Sequence, residues 1–162
     1  MKNQTVCRKT DMEKDRDSLF YYIFHDLPIG VVIIHPDGTL LCKNNWVRTY
    51  LNTKKYTSAR IGSDIHCFRL KKAGMVCGGM KSCEQCALKK GTNRILAEGR
   101  PMGGITIRIT DKGKENTWLK IYGSPMLYNG ETYAVLYLED ITAFKRKERH
   151  LTKRLKLDPA MY

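Results

Sequence analysis

Hydrophobic and polar positions change their spacing several times along this chain, and each change marks a predicted element. Residues 1–16 are polar and charged, whereas the run from Asp17 to His25 predicts a helix. The β-branched run 30–34 predicts a strand, 35–38 a turn and 39–42 a second strand. These segments together predict a β-hairpin behind an N-terminal helix.

A short helix and a polar middle segment follow the hairpin. The polar residues 43–45 supply a cap for a helix over 46–51, whose apolar residues have the spacing of one buried face. These are Trp46, Val47, Tyr50 and Leu51. Most of 54–99 is polar enough for loops and short helices, with one helix predicted to start near Ser82 and to include 87–97.

The second half of the chain first has the period of strands and then that of a helix. Apolar and polar side chains alternate over 105–110, as in a strand with one buried face. A turn at 111–113, a strand over 117–123, an Asn-Gly turn at 129–130 and a strand over 132–139 complete three antiparallel strands. A helix is predicted from Ile141 to about Leu157, with an apolar stripe that Glu148 interrupts. The stripe consists of Ile141, Phe144, Leu151 and Leu155.

Together these elements predict an α+β fold. Its centre is a five-stranded antiparallel sheet, with helices inserted between strands 2 and 3 and a C-terminal exit helix. A chain of 162 residues, 42% of them hydrophobic, is enough for one domain with its own core. The apolar runs at 19–24 and 29–34 are too short for a signal peptide or a membrane span. We therefore expect a cytoplasmic protein without a membrane partner, which does not need disulfides in order to fold.

Four of the six cysteines fall within one short segment. They are Cys67, Cys77, Cys83 and Cys86. The last two are three residues apart near a predicted helix start, where the positive end of the helix favours the metal-binding thiolate. Gly78 and Gly79 allow close backbone approach, and the surrounding lysines and arginines offset the negative charge of a thiolate-bound cluster. We predict that the four cysteines bind one metal centre, with a 4Fe–4S cluster as the first interpretation.

Other interpretations of the cysteine segment stay open. Structural zinc also uses four cysteines, but its usual signature is two C-x-x-C pairs, and this segment has one. A thiol redox switch, or cysteines without a function, would also explain the pattern. We interpret Cys7 as an incidental free thiol and Cys42 as a small buried side chain rather than a fifth ligand.

The formal net charge of +13 suggests nucleic acid or an acidic surface as a partner. The basic residues concentrate in the cysteine segment and at 145–156, without interleaved aromatic residues or a known base-reading motif. We therefore expect solvated basic faces and no specific nucleic-acid binding. No nucleophile–base pair, phosphate-binding glycine loop or paired carboxylates stand out, so we expect no enzyme activity.

Three segments, in this order, resemble the PAS sensory domain family. LPIGVVIIHPDGTLLCKNN at 27–45 is similar to the first hairpin of that family, IGSDI at 61–65 to the entry into its middle helices, and LEDIT at 138–142 to its end-of-domain signature. The resemblance spans about 17–156. It implies a polar tail at 1–16, a sensor domain at 17–140 with a cysteine-rich insertion at about 66–100, and a linker or signalling helix at 141–162.

The resemblance also implies a function. PAS sheets curl around a pocket roofed by the middle helices, and some PAS sensors hold an oxygen-labile iron–sulfur cluster on cysteines in this region. The resemblance therefore leads us to expect a cytoplasmic sensor of oxygen or redox state. The alternative is a dimerisation or structural module whose cysteine loop is stabilised by zinc. The best-known cluster pattern in the family has two C-x-x-C pairs, so the spacing here departs from it.

Two other PAS cofactors fit less well. The run 66–71 matches the flavin-binding motif of the family only loosely, because Arg and Phe are exchanged and the flanking Asn and Gln are missing. Haem needs an axial histidine, and His66 is the only one in this segment. It is better explained as a polar loop residue or as an alternative ligand beside Cys67.

The exit helix provides the expected partner surface. PAS exit helices pair with a second copy or continue into an effector, so the resemblance implies a homodimer or a downstream signalling domain. Leu157-Asp158-Pro159 is similar to the lead-in of a diguanylate cyclase (GGDEF) domain, which suggests an input module of a longer signalling protein.

Overall fold

The computed structural model describes residues 19–51, 60–65, 77, 79, 81–109 and 116–157, without the side chains at 63, 64, 82 and 155–157. Its elements in chain order are α1 (Leu19–Asp26), β1 (Gly30–Ile34), β2 (Leu40–Lys43), α2 (Asn45–Tyr50), α3 (Ile61–Asp64), a 3-10 turn (Lys81–Cys83), α4 (Ala87–Glu98), β3 (Met102–Ile109), β4 (Thr117–Tyr128), β5 (Glu131–Asp140) and α5 (Thr142–Leu157).

The five strands form one antiparallel sheet in the order β2-β1-β5-β4-β3. The last strand, β5, lies between β1 and β4, with Gly30 opposite Leu138 and Ile34 opposite Ala134. This arrangement joins the N-terminal hairpin to the three C-terminal strands. The predicted α+β fold, with helices between the second and third strands and an exit helix after the fifth, is confirmed.

Two of the three predicted hairpin turns are present, and the third, at 111–113, lies outside the described residues. In the first, Asp37 Oδ1 accepts a hydrogen bond from Thr39 N at 2.7 Å, and Gly38 has φ 82°. Partial burial opposes ionisation of Asp37, but hydrogen bonds from Thr39 hold its pKa below the usual value. In the second turn, Asn129 and Gly130 both have positive φ, at 50° and 79°, as a tight two-residue hairpin turn requires.

The core lies on the inner face of the sheet, beneath the helices. Nine of the described side chains there have no more than 1% of their surface exposed. They are Val32, Ile34, Val47, Ile95, Leu119, Ile121, Ala134, Leu136 and Leu138. Ile109 is also buried, and Ile105 and Ile107 pack against the core, which confirms the predicted alternation in β3. Among the described helices, none combines the length and hydropathy that a bilayer crossing requires.

Helix α4 packs against the sheet at two glycines. A Cβ atom at Gly91 would lie 2.1 Å from Met102 Sδ, and one at Gly123 would lie 2.5 Å from Ile95 Cδ1. Both distances are too short for non-bonded atoms, so the absence of a side chain lets the helix approach β3 and β4 closely. Helix α4 is therefore packed tightly over this part of the sheet.

The start of α5 is fixed by a hydrogen-bond network around the LEDIT segment. Asp140 Oδ1 accepts from Thr142 N at 2.8 Å, and Thr142 Oγ1 accepts from Trp118 N at 2.9 Å. The Tyr50 hydroxyl donates to the other carboxylate oxygen of Asp140. Burial, together with this carboxylate, raises the pKa of Tyr50 to about 12. Tyr50 was predicted on a buried face, but 40% of it is exposed because it points to Asp140 at the surface.

Candidate functional site

A pocket of about 490 Å³ lies between the β1–β2 turn, α3, the cysteine segment and α4. Its walls are largely apolar, with Ile34, Ile65, Leu88 and Leu96 among the lining residues. Charged side chains from three different elements also line it. They are Asp37 from the turn, Arg60 before α3 and Lys89 in the first turn of α4. The pocket therefore combines an apolar interior with a net positive set of lining side chains.

Three of the four predicted ligand cysteines line this same pocket. Cys83 is buried with 5% of its surface exposed, while Cys77 and Cys86 are half-buried. None of the three is in a disulfide. Cys86 N donates to Cys83 O at 3.2 Å, which fixes the turn that joins them. The fourth predicted ligand, Cys67, lies outside the described residues, as do Cys7 and His66.

Cys86 occupies the N-cap position of α4 and makes no capping hydrogen bond through its side chain. Its carbonyl oxygen accepts from Lys90 N at 2.9 Å, which closes the first helical turn. The helix was predicted to start near Ser82, but a 3-10 turn at Lys81–Cys83 precedes it and α4 begins only after Cys86. The Cys86 residue therefore lies at the N-terminal end of a twelve-residue helix, where backbone N–H groups lack helical partners.

Thr92 contributes a buried hydroxyl to the pocket wall. Only 6% of the residue is exposed, and its Oγ1 has no hydrogen-bond partner within the described part of the chain. A buried hydroxyl without a partner costs about 1–3 kcal/mol, so a polar group of a bound molecule would stabilise this arrangement. The sequence analysis did not single out Thr92 as a pocket residue. The helical spacing of Leu88, Thr92 and Ile95 would have indicated that Thr92 lies on the buried face of α4.

The predicted metal centre can be tested against this geometry. Three thiols and one unsatisfied hydroxyl in one pocket suit a sulfur-ligated group. Within the described residues, however, no three His, Cys, Asp or Glu side chains are arranged to hold a metal ion. The donor types therefore match the predicted group, but the described cysteines do not by themselves form a ligand set, and Cys67 lies outside the described residues.

Cys42 has the predicted burial and also a covalent bond that the sequence pattern does not show. It is buried in β2 with 1% of its surface exposed, as expected for a small core residue. It is also disulfide-bonded, which the sequence analysis did not predict. The pattern of the sequence shows only that Cys42 is apolar in character, whereas a disulfide depends on which side chain meets it in the fold. A disulfide sulfur is not a thiolate, so Cys42 stays outside the proposed ligand set.

Comparisons with known proteins address the fold. No family model and no curated protein matches the chain. The structure of an RNA-binding light-oxygen-voltage receptor matches 97% of this chain at 14% identity, with a TM-score of 0.59. This chain spans only 40% of the length of that receptor chain.

Two further solved structures are similar. A PAS domain from Colwellia psychrerythraea matches 82% of this chain and 99% of its own, with 13% identity and a TM-score of 0.51. The phage VqmA–DPO complex matches 90% of this chain and 62% of its own, with 12% identity and a TM-score of 0.51. Together with the strand order and the inserted helices, these similarities show that the chain has the PAS fold.

Proposed function

We propose that this chain is a cytoplasmic sensory module for signal transduction that binds an iron–sulfur cluster through Cys67, Cys77, Cys83 and Cys86. The observation that carries the proposal is the placement of three cysteines, none of them in a disulfide, in the wall of one pocket. In this proposal the cluster supplies a redox-active and oxygen-sensitive group. The role of the chain is binding and signalling rather than catalysis.

The remaining pocket residues have defined parts in this proposal. Arg60 and Lys89 line the pocket and offset the negative charge of bound thiolates and sulfide. The Thr92 hydroxyl donates a hydrogen bond to a sulfur atom and so gains the partner that it otherwise lacks. The apolar walls limit the access of water. Loss of the bound group would remove these interactions together and loosen the cover formed by α4.

A structural route leads from the pocket to the exit helix. Helix α4 packs on β3 and β4 through Gly91 and Gly123, β4 pairs with β5, and β5 runs into α5 through Asp140. A shift of α4 would therefore change the position of the strand that starts the exit helix. We propose that α5 reports this change to a second copy or to a downstream domain such as a GGDEF domain. The similarity to a receptor and to a complex with the ligand DPO supports a sensory use of this fold.

A set of single Cys→Ala variants tests the ligand set. Replacing Cys67, Cys77, Cys83 or Cys86 should each lower the metal content of anaerobically purified protein several-fold, because each removes one of four ligands of a shared centre. Cys7→Ala and Cys42→Ala should retain the metal, and their free energies of unfolding are measured alongside because Cys42→Ala also removes a buried disulfide. Unchanged metal content in Cys83→Ala would contradict the shared site.

A thiol redox switch is the second candidate function. The observation that favours it is that Cys42 is in a disulfide whereas Cys77, Cys83 and Cys86 in the pocket wall are not. Mass spectrometry of the metal-free protein under reducing and oxidising conditions separates the two candidates. A disulfide that forms and breaks reversibly while α5 changes its hydrogen exchange supports the switch, and metal-dependent changes in α5 support the cluster.

A further inference from the structure

Helix α1 is attached to the domain in an unusual way. Its buried side chain is that of His25, with 3% of its surface exposed. Four large side chains of the same helix are at least half exposed. They are Leu19 at 69%, Phe20 at 80%, Tyr22 at 51% and Ile23 at 50%. The contact between α1 and the domain is therefore centred on a titratable residue rather than on its apolar side chains.

The surroundings of His25 are unfavourable for a charged imidazole. The ring lies 4.4 Å from the ring of Tyr21 and 5.1 Å from that of Phe24, both on α1. From α2, which packs against α1, Arg48 brings a positive charge and Asn45 an amide. Neither ring nitrogen of His25 has a hydrogen-bond partner among the residues that the structure describes.

The groups around His25 act on its pKa in opposite directions, and their net effect is to lower it. Burial, followed by the positive charge of Arg48, lowers the pKa of His25 below its ordinary 6.5. Asn45 and the carboxylate of Asp26 act in the opposite direction but are outweighed. The docked helix therefore favours the neutral imidazole. In an undocked α1 the same side chain would be hydrated and further from Arg48, and would take up a proton more readily.

We propose that His25 is a proton-dependent latch that holds α1 on α2 when it is neutral and releases α1 when it is protonated. Because the undocked form binds the proton more tightly, docking is strongest above about pH 6.5 and weakens as the pH falls below this value. A single proton can shift the docking equilibrium by at most about tenfold per pH unit. This input is separate from the cysteine pocket, because none of the residues involved lines that pocket.

Hydrogen–deuterium exchange of the full chain at about pH 7.5 and about pH 5.5, corrected for intrinsic exchange rates, tests the latch. We expect the protection of the α1 amides to fall up to about tenfold at the lower pH, while β1 and β5 keep theirs. His25→Phe keeps an uncharged ring in the contact and should retain α1 protection at both values. His150→Gln, on the exposed face of α5, is the control and should keep the response of the unaltered chain.

Two results would overturn the proposal, one from the unaltered chain and one from the variant. Equal protection of α1 at the two pH values would show that His25 does not control docking. An identical loss of protection in a folded His25→Phe variant would assign the response to another group. If that variant does not fold, NMR titration of His25 in the unaltered chain replaces it. A midpoint at the ordinary value of an exposed histidine, without a coincident change in α1, would equally contradict the latch.

Discussion

Asn44 is the residue that ties the first hairpin to the helix after it. It is fully buried, and its Oδ1 accepts from Val31 N at 3.1 Å and from Val47 N at 3.2 Å. Its Nδ2 donates to Ile29 O at 2.8 Å. One side chain therefore satisfies the N-terminus of α2 and two backbone groups at the entry to β1. The asparagine after the hairpin, which carries part of the PAS resemblance, has this structural role.

We predict that Asn44→Ala destabilises the domain by about 2–4 kcal/mol. The substitution removes a helix cap and leaves three backbone groups without their partner. Thr49→Ala is the control, since Thr49 is exposed on the same helix α2, and should change stability by less than about 0.5 kcal/mol. Chemical denaturation of both variants measures the difference. Equal midpoints would show that the Asn44 bonds do not stabilise the fold.

For single residues, the sequence predicts those structural roles that depend only on neighbours along the chain. The cap at Asn44 and the turn at Asn129-Gly130 follow from preferences of a few neighbouring residues, and both are confirmed. The buried states of His25 and Lys43 and the disulfide of Cys42 do not follow in this way. They depend on which distant side chains cover them, which no local pattern specifies.

Helix α4 and strands β3 and β4 form the unit that supports the pocket. We predict that Gly123→Ala destabilises it by about 1–3 kcal/mol, because the new Cβ would lie 2.5 Å from Ile95 and 2.8 Å from Leu136. Gly103→Ala, where nothing lies within 4 Å of the new Cβ, should change stability by less than about 0.5 kcal/mol. Thermal unfolding compares the two, and a Gly123→Ala variant as stable as the control would contradict the close packing of α4.

The exit helix carries an exposed apolar stripe on a basic segment. Phe144 is 64% exposed and Leu151 61%, whereas residues 145–156 carry seven basic side chains and one acidic side chain, Glu148. The predicted stripe is confirmed at these two positions. The side chain of Leu155 is outside the description, as is all of 158–162. Lys145 forms a 2.7 Å ion pair with Glu148, which neutralises the acidic residue that interrupts the stripe.

We predict that Leu151→Asp abolishes association through α5 while leaving the fold almost as stable as before. An exposed side chain contributes little to the core, so the loss of stability should stay below about 0.5 kcal/mol. Thr152→Asp introduces the same charge beside the stripe and should retain association. Light scattering after size exclusion measures both. Unchanged association of Leu151→Asp would assign the contact to another surface.

Element boundaries were predicted less well than element types. Strand β4 continues to Tyr128 and β5 spans Glu131–Asp140, because the long hairpin between them keeps pairing beyond the apolar segment. Strand β3 begins at Met102 rather than after the glycines, since its pairing with Gly123 starts there. Backbone pairing set by a neighbouring strand, rather than side-chain alternation, decides where these elements end.

Considered as a whole molecule, the chain is strongly basic, with a formal net charge of +13. We predict that nucleic acids bind weakly, without sequence preference, and that binding disappears by about 200 mM salt, because only counterion release supports it. Fluorescence anisotropy with two unrelated oligonucleotides over a salt series measures this. Tight binding to one sequence that persists at high salt would contradict the assignment of the basic residues to the pocket and to α5.

The spacing of apolar and polar residues does not predict the order of the strands in the sheet. Periodicity predicts five strands and three of their turns, but the insertion of β5 between β1 and β4 is a long-range pairing. The gathering of Cys77, Cys83 and Cys86 in one pocket was predicted from their clustering along the chain, whereas the contributions of Arg60 and Thr92 arise only when α3 and α4 come together.

The central claim is that the cysteine pocket holds an iron–sulfur cluster. Analysis of iron, acid-labile sulfide and zinc in the anaerobically purified full chain, together with its visible absorption, tests it most directly. We predict about four iron and about four sulfide per chain and an absorption near about 400 nm that bleaches in air. Stoichiometric zinc, or a colourless protein without iron, would contradict the claim.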